Sequence, residues 1–188
     1  MSRPLKEIIF ERRTVHNYKS EPIPRAILEE ALACAIQAPN HHLTAPWRFT
    51  VLGSESRKKI IELACAANEA KKGSELSKPE KIAVEKKFSD PGAIVVVSCM
   101  RSDDSLQSRE DYASVSCAIQ NLSLFLWSEG YGSKWGSGAL TRMDKTYDIF
   151  GINQEKEEII GFIYAGVPER VPRAPERPSV DSVSRWID

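Results

Sequence analysis

Three short stretches of this chain carry side chains suited to chemistry. Arg12-Arg13-Thr14 offers two guanidinium forks and a hydroxyl within three residues, a set that suits a phosphate and the hydroxylated chain beside it. The same trio also reads as a solvated charge pair ending a helix, and the residues alone leave both open. His41 sits in Ala38-Pro39-Asn40-His41-His42-Leu43-Thr44-Ala45-Pro46-Trp47, a loop fixed by a proline near each end. Loops held on rigid elements often carry sites; the plainer alternative is a structural loop with Trp47 as a core anchor. Ser133-Lys134-Trp135-Gly136-Ser137-Gly138 mixes small residues with hydroxyls. Its glycines would let backbone N–H groups approach a flat ligand closely, or would simply make a tight turn beneath a strand. The tail arginines Arg170, Arg173, Arg177 and Arg185 read as solvated unless something else draws one of them to an anion.

Other chemistries are poorly supported. Gly130-Tyr131-Gly132 starts like a dinucleotide fingerprint, but Trp135 occupies the position of the third glycine and the stretch follows a helical pattern instead of a strand. There is no GxxxxGK[ST] phosphate loop, and Gly136-Ser137-Gly138 is one residue short of GxSxG. The three histidines, His16, His41 and His42, form no HExxH and have no cysteine nearby, so no metal site is expected. Lysines plus arginines number 26 and so do the acids, which argues against a nucleic-acid partner, whose binding rests on surplus cations meeting phosphates.

The elements that must position these residues follow from periodicity. At 188 residues one compact domain, 1–188, is expected. Leu5 to Arg12 reads as a short helix with Pro4 at its start. A second helix opens at Pro24, carries Ile27, Leu28, Ala31, Leu32, Ala35 and Ile36 on one stripe, and stops at Ala38-Pro39. Arg48 to Leu52 reads as a strand, and Ser54 as the cap of a third helix. Residues 69–90 are charged with both signs and poor in apolar residues, and are expected to form an exposed, mobile excursion. Ala93 to Cys99 and Ile159 to Ala165 read as strands buried on both faces. Between them a long helix, marked by Tyr112 through Leu126, runs to Glu129, and a further helix starts at Thr141 with Asp144 in a capping-box-like pair. Residues 167–188 contain spaced prolines and are expected to be extended. The pattern gives helices around a central sheet whose strand order it does not reveal.

The setting is expected to be cytoplasmic. The first residues lack the apolar run of a signal peptide, and the longest apolar run, Ala93 to Val97, is far too short for a membrane span. Cys34, Cys65, Cys99 and Cys117 are widely spaced in apolar segments and read as buried free thiols.

In this order, the motifs resemble the nitroreductase family of FMN-dependent NAD(P)H oxidoreductases, in its short, single-domain branch. Arg12-Arg13-Thr14-Val15-His16-Asn17-Tyr18 is similar to that family's opening RRS-x-R-x-(Y/F), and Ala38-Pro39 with Pro46-Trp47-Arg48-Phe49 to its APS…QPW-x-F. Trp135-Gly136-Ser137-Gly138-Ala139-Leu140 resembles the segment near the flavin ring, and Gly161 to Pro168 the late GxxxxGxP strand and turn. Thr44 and Ala45 depart from the family, which often carries Asn and Gln there.

The resemblance implies an α+β fold with a central, mostly antiparallel sheet surrounded by helices, in an intertwined homodimer with FMN at the subunit interface. Arg12, Arg13 and Thr14 would hold the phosphate and ribityl end, with Arg177 completing the clamp. His41 and Gln37 would reach the flavin from the partner subunit, and Trp135, Gly136 and Ser137 would lie along the isoalloxazine. No side chain is expected to act as a catalytic acid or base, because the flavin carries the chemistry. NADH or NADPH would reduce it, and nitroaromatic, quinone or similar electrophilic acceptors would reoxidise it in a ping-pong cycle. Relatives make flavin destruction, reductive dehalogenation or a non-catalytic flavin-binding dimer the alternatives.

Overall fold

The computed structural model describes residues 4–187. Along the chain run α1 (Leu5–Glu11), α2 (Arg25–Ala35), β1 (Trp47–Val51), α3 (Ser54–Lys72), α4 (Lys78–Ser89) and β2 (Ala93–Met100). There follow α5 (Ser105–Ser128), β3 (Gly132–Gly136), α6 (Asp144–Phe150), β4 (Glu157–Gly166) and α7 (Val180–Val183), with 3-10 turns at His41–Leu43 and Ala139–Arg142. The fold is α+β. Its four strands lie in the order β1-β2-β4-β3, and every pairing is antiparallel.

The two central strands explain the layers. Side chains alternate across a strand, so β2 sends Val95 and Val97 to one face and Ile94 and Val96 to the other, all of them buried. The first face packs with Val115, Ala118, Ile119 and Leu122 of α5 and with Ala31 and Ala35 of α2. The second packs with Ile60 and Leu63 of α3, Phe88 of α4 and Tyr147 of α6. Each such aliphatic side chain contributes about 1.5–3 kcal/mol when fully buried, and the continuous apolar run of β2 reflects its place between two layers.

Several expectations are adjusted by the structure. The charged stretch that read as a mobile excursion contains the end of α3, a turn and α4. Gly73, at φ 74°, ends α3, and α4 opens with a capping box in which Ser77 and Glu80 satisfy each other's backbone N–H groups. Leu76 and Phe88 are buried and Val84 packs against the core, which is why so polar a segment is ordered; Lys72 with Glu80 and Lys81 with Glu69 pair across the two helices at the surface. α5 begins seven residues before Tyr112, at Ser105, because Asp104 accepts a bond from the Gln107 N–H. Thr141 does not cap α6; its hydroxyl turns back to the Gly138 carbonyl, and Met143 occupies the cap position. Likewise Gly53, not Ser54, precedes α3. The cysteines are free, but only Cys99 is buried; Cys34 and Cys65 are partly covered and Cys117 is exposed. The tail includes one helical turn, α7. Among the described residues no helix is long and apolar enough to cross a membrane.

Candidate functional site

The end of α1 and the distant tail meet in one cavity. It holds about 340 Å³ and is lined by Arg12, Arg13, Gln120 of α5, Pro175 and Arg177, among others. Arg13 is anchored: its guanidinium donates to the Phe10 carbonyl at 2.7 Å and the Arg12 carbonyl at 2.9 Å. Its Nε is buried and meets no acceptor. Arg12 has its pKa pulled down, first by burial and then by the positive charges of Arg177 and Arg13. All three effects disfavour the cation, and the opposite charge of a bound anion would offset them. Thr14 lies next to this group, where it bridges to Ser133 of β3 while the Val15 N–H donates to the Ser133 carbonyl.

The loop after α2 is stiffened from within. Asn40 donates to Thr44 Oγ1 at 2.9 Å and to Ser114 Oγ at 3.4 Å, and accepts from the Ala45 N–H at 2.7 Å. Thr44 then donates to the buried Asp111 at 2.5 Å. These bonds hold His42, Leu43 and Ala45 at positive φ, a conformation that costs non-glycine residues free energy and persists only when its surroundings fix it. His41 is exposed at the top of the loop, stacks on His42, and bonds through Nδ1 to Glu110 Oε2 at 2.8 Å. The ligand atoms of His41, His42 and Glu110 lie within 4.8 Å of one another, a grouping that sequence spacing did not suggest because Glu110 arrives from α5. Gln37 lies apart from the arginines, in an apolar groove with Cys34, Asn121 and Phe125. Beneath the loop, burial and then the charges of Asp111 and Glu158 push the Cys99 thiol up to about 11, so Cys99 is a poor nucleophile.

The β3 tip splits the residues that read as one ring-binding segment. Trp135 pairs with Ile163, on the α5 side of the sheet. Its indole crosses β4, where Nε1 donates to the Ile160 carbonyl at 3.3 Å, and it fits only because residue 161 is glycine; a Cβ there would lie 2.2 Å from Nε1. Lys134 and Gly136 belong to the opposite face, and Gly136 borders a pocket of about 480 Å³ roofed by α3 and α4. Ser137 follows β3 and is exposed. The same pocket receives Lys71, Lys87 and Lys134 and no acidic residue. These lysines escaped sequence reasoning because each comes from a different element.

Comparison with known proteins defines the lineage. A model of the nitroreductase family matches residues 9–167. The chain belongs to the nitroreductase family. It is 34% identical over 182 residues to YfhC of Bacillus subtilis (strain 168), a protein named as a candidate NAD(P)H nitroreductase, covering 92% of this chain and 89% of that one. Among solved structures, a nitroreductase-like family protein from Bacillus cereus superposes with a TM-score of 0.87 at 25% identity, covering 100% of this chain and 98% of the other. A candidate nitroreductase from Exiguobacterium sibiricum, solved in complex with FMN, shares the fold with a TM-score of 0.78 at 15% identity and covers 100% and 99% of the two chains. This family of oxidoreductases is thus the frame for the site.

Proposed function

We propose that the protein is an FMN-dependent NAD(P)H oxidoreductase that works as a homodimer and reduces nitroaromatic, quinone or similar electrophilic acceptors. The observation that carries this reading is the meeting of Arg12 and Arg13 with Arg177, from opposite ends of the chain, in a single cavity. A set of guanidinium forks in which Arg177 and Arg13 depress Arg12, with the buried Arg13 Nε left over, has the chemistry a phosphate dianion requires. The donor set therefore fits the phosphate end of FMN, with Thr14 beside it for the ribityl hydroxyls. Relatives named for NAD(P)H and for FMN support the same cofactor pair.

When bound, FMN supplies the redox chemistry, carrying two electrons from NAD(P)H to the acceptor. The chain's own residues bind and orient. Gly136 and Ser137 offer backbone at the β3 tip, and Trp135, locked across β4, stiffens that tip from behind. His41 stands on the rigid loop facing outward, and Gln37 faces its apolar groove; in this reading both serve the partner subunit's flavin. A second copy is supported by the apolar surface that one chain leaves open. Leu5, Phe10, Leu43 and Val183 are exposed, and Trp186 and Ile187 are 87% and 92% exposed, apolar surface that a second copy would cover.

The test is an absorption spectrum of the purified protein before and after anaerobic NADPH, together with its sedimentation behaviour. A flavin band that bleaches with NADPH, in a dimer, is expected. A protein that takes up no FMN, or whose flavin never bleaches, would refute the proposal.

A further inference from the structure

His41, His42 and Glu110 form a group of their own, outside the arginine cavity. On extended backbone, consecutive side chains point to opposite sides. Here the left-handed turn at His42, φ 58°, carries its ring alongside that of His41, and the two imidazoles stack with centres 3.8 Å apart. A residue other than glycine keeps such a conformation only where its surroundings impose it. Those surroundings are α5. Asn40 reaches Ser114 on one side of the histidines and Thr44 reaches Asp111 on the other. Glu110 adjoins Asp111 and lies one turn before Ser114 on the same helix. The two anchors therefore fix both histidines against Glu110, whose Oε2 stands 2.8 Å from His41 Nδ1. One nitrogen or oxygen from each of the three residues lies within 4.8 Å of the others.

The charge around the group suits a cation. Among the described residues, Glu110 pairs with His41 and with no lysine or arginine. Asp111, buried behind the loop, receives hydrogen bonds from the neutral Thr44 and Gln107. Two imidazole nitrogens and one carboxylate oxygen are a donor set for zinc and its neighbours among the transition metals. Calcium and magnesium take oxygen ligands instead. With zinc–ligand bonds of about 2.0–2.2 Å, tetrahedral neighbours stand about 3.3–3.6 Å apart. The 2.8 Å pair has only to open slightly and the third atom, within 4.8 Å, to close in, movements open to the exposed histidine rings. We propose that His41, His42 and Glu110 bind one divalent cation of the zinc class, with the fourth position left to water. The site stands without the flavin reading; together with it, His41 cannot serve a metal and the partner's flavin at once.

The test is calorimetric titration of the purified chain, stripped of metal by a chelator, with zinc chloride. One ion per chain should bind, and His41→Asn, His42→Asn and Glu110→Gln should each weaken it by about tenfold or more, since even the outer partners of metal ligands command that much. Asparagine tolerates the left-handed backbone at position 42. His16→Asn, which changes the remaining histidine, should bind zinc like the native chain. A second measurement needs no variant. The chain has three histidines, so zinc should shift the imidazole proton resonances of two and leave the third in place. No zinc binding, affinity retained in any of the three ligand variants, or uptake that moves no imidazole resonance would overturn the proposal. So would displacement of zinc by an equal concentration of magnesium, which would mark an oxygen site. Repeating the titration on the FMN-loaded protein separates the two readings. Weaker zinc binding there supports both, whereas zinc affinity untouched by FMN removes His41 from the partner's flavin and leaves the metal site standing.

Discussion

Removing Arg177 should do two opposite things. In the ligand-free protein Arg177 is a liability, because its charge acts with burial to depress the Arg12 guanidinium. Arg177→Ala should therefore leave the melting temperature of the apoprotein unchanged or slightly raised, and any gain should fade as salt screens the repulsion. In the FMN complex the same side chain becomes a phosphate partner. Arg177 is exposed, so its loss should weaken FMN by about tenfold or less. Arg12 is more enclosed, and Arg12→Ala should cost about 1.5–3 kcal/mol of a charge-assisted bond, roughly 10- to 150-fold in Kd. Because both arginines would share one phosphate, the double variant should lose less than the product of the two. The assay is quenching of FMN fluorescence on titration with apoprotein, paired with thermal melts in low and high salt. Unchanged FMN affinity in Arg12→Ala, or an apoprotein destabilised by Arg177→Ala at low salt, would refute the reasoning. Either result would make the cluster a structural feature and not an anion site.

Three other perturbations test how the site is supported. Arg57 donates to the carbonyls of Pro91 at 2.7 Å, Phe88 at 3.3 Å and Leu52 at 3.4 Å, so Arg57→Met should lower the unfolding free energy by roughly 1.5–3 kcal/mol in urea titrations. Glu80 is held down to about 2 by Lys72 and by the Ser77 hydroxyl and N–H. A folded-state value below the unfolded one stabilises above the ordinary carboxylate range, so α4 should loosen as pH falls from about 4.5 towards 2, seen as faster amide exchange over Lys78–Ser89 and absent in Glu80→Gln. Asn40→Ala should release the loop it binds at both ends. FMN affinity should fall several-fold with the far-ultraviolet circular dichroism unchanged; full retention of FMN would remove the loop from the site.

What could be read from the sequence depended on whether neighbours in space were also neighbours in the chain. Arg12, Arg13 and Thr14 are consecutive, and their shared chemistry was plain. Arg177 entered only by resemblance, since nothing local distinguishes it from Arg170 or Arg173. The buried strand β2 was legible because Ala93 to Val97 is an unbroken apolar run, whereas β3, Gly-Ser-Lys-Trp-Gly, has no β-branched residue and exists through its pairing with β4. α4 was hidden by its charges, though Ser77-Lys78-Pro79-Glu80 carries a capping box in plain view. The lysine pocket was beyond reach. Its three cations lie on three elements, and their convergence depends on the sheet order, which strand patterns alone did not give.

The charge balance explains why two cationic cavities went unnoticed in so neutral a chain. Acids and bases are equal in number, but they are not equally distributed. Four glutamates are paired with lysine or arginine on outer helices: Glu29 with Arg25, Glu55 with Lys58, and Glu80 and Glu69 with Lys72 and Lys81. Such exposed pairs add little stability. Among the described residues no carboxylate lines either the cavity of Arg12, Arg13 and Arg177 or the pocket of Lys71, Lys87 and Lys134. A fold selected for stability alone would separate those cations, since Arg177 and Arg13 depress Arg12 and Lys134 depresses Lys87. Retaining the arginine cluster is what the phosphate proposed for that cavity would require, since guanidinium forks match its geometry.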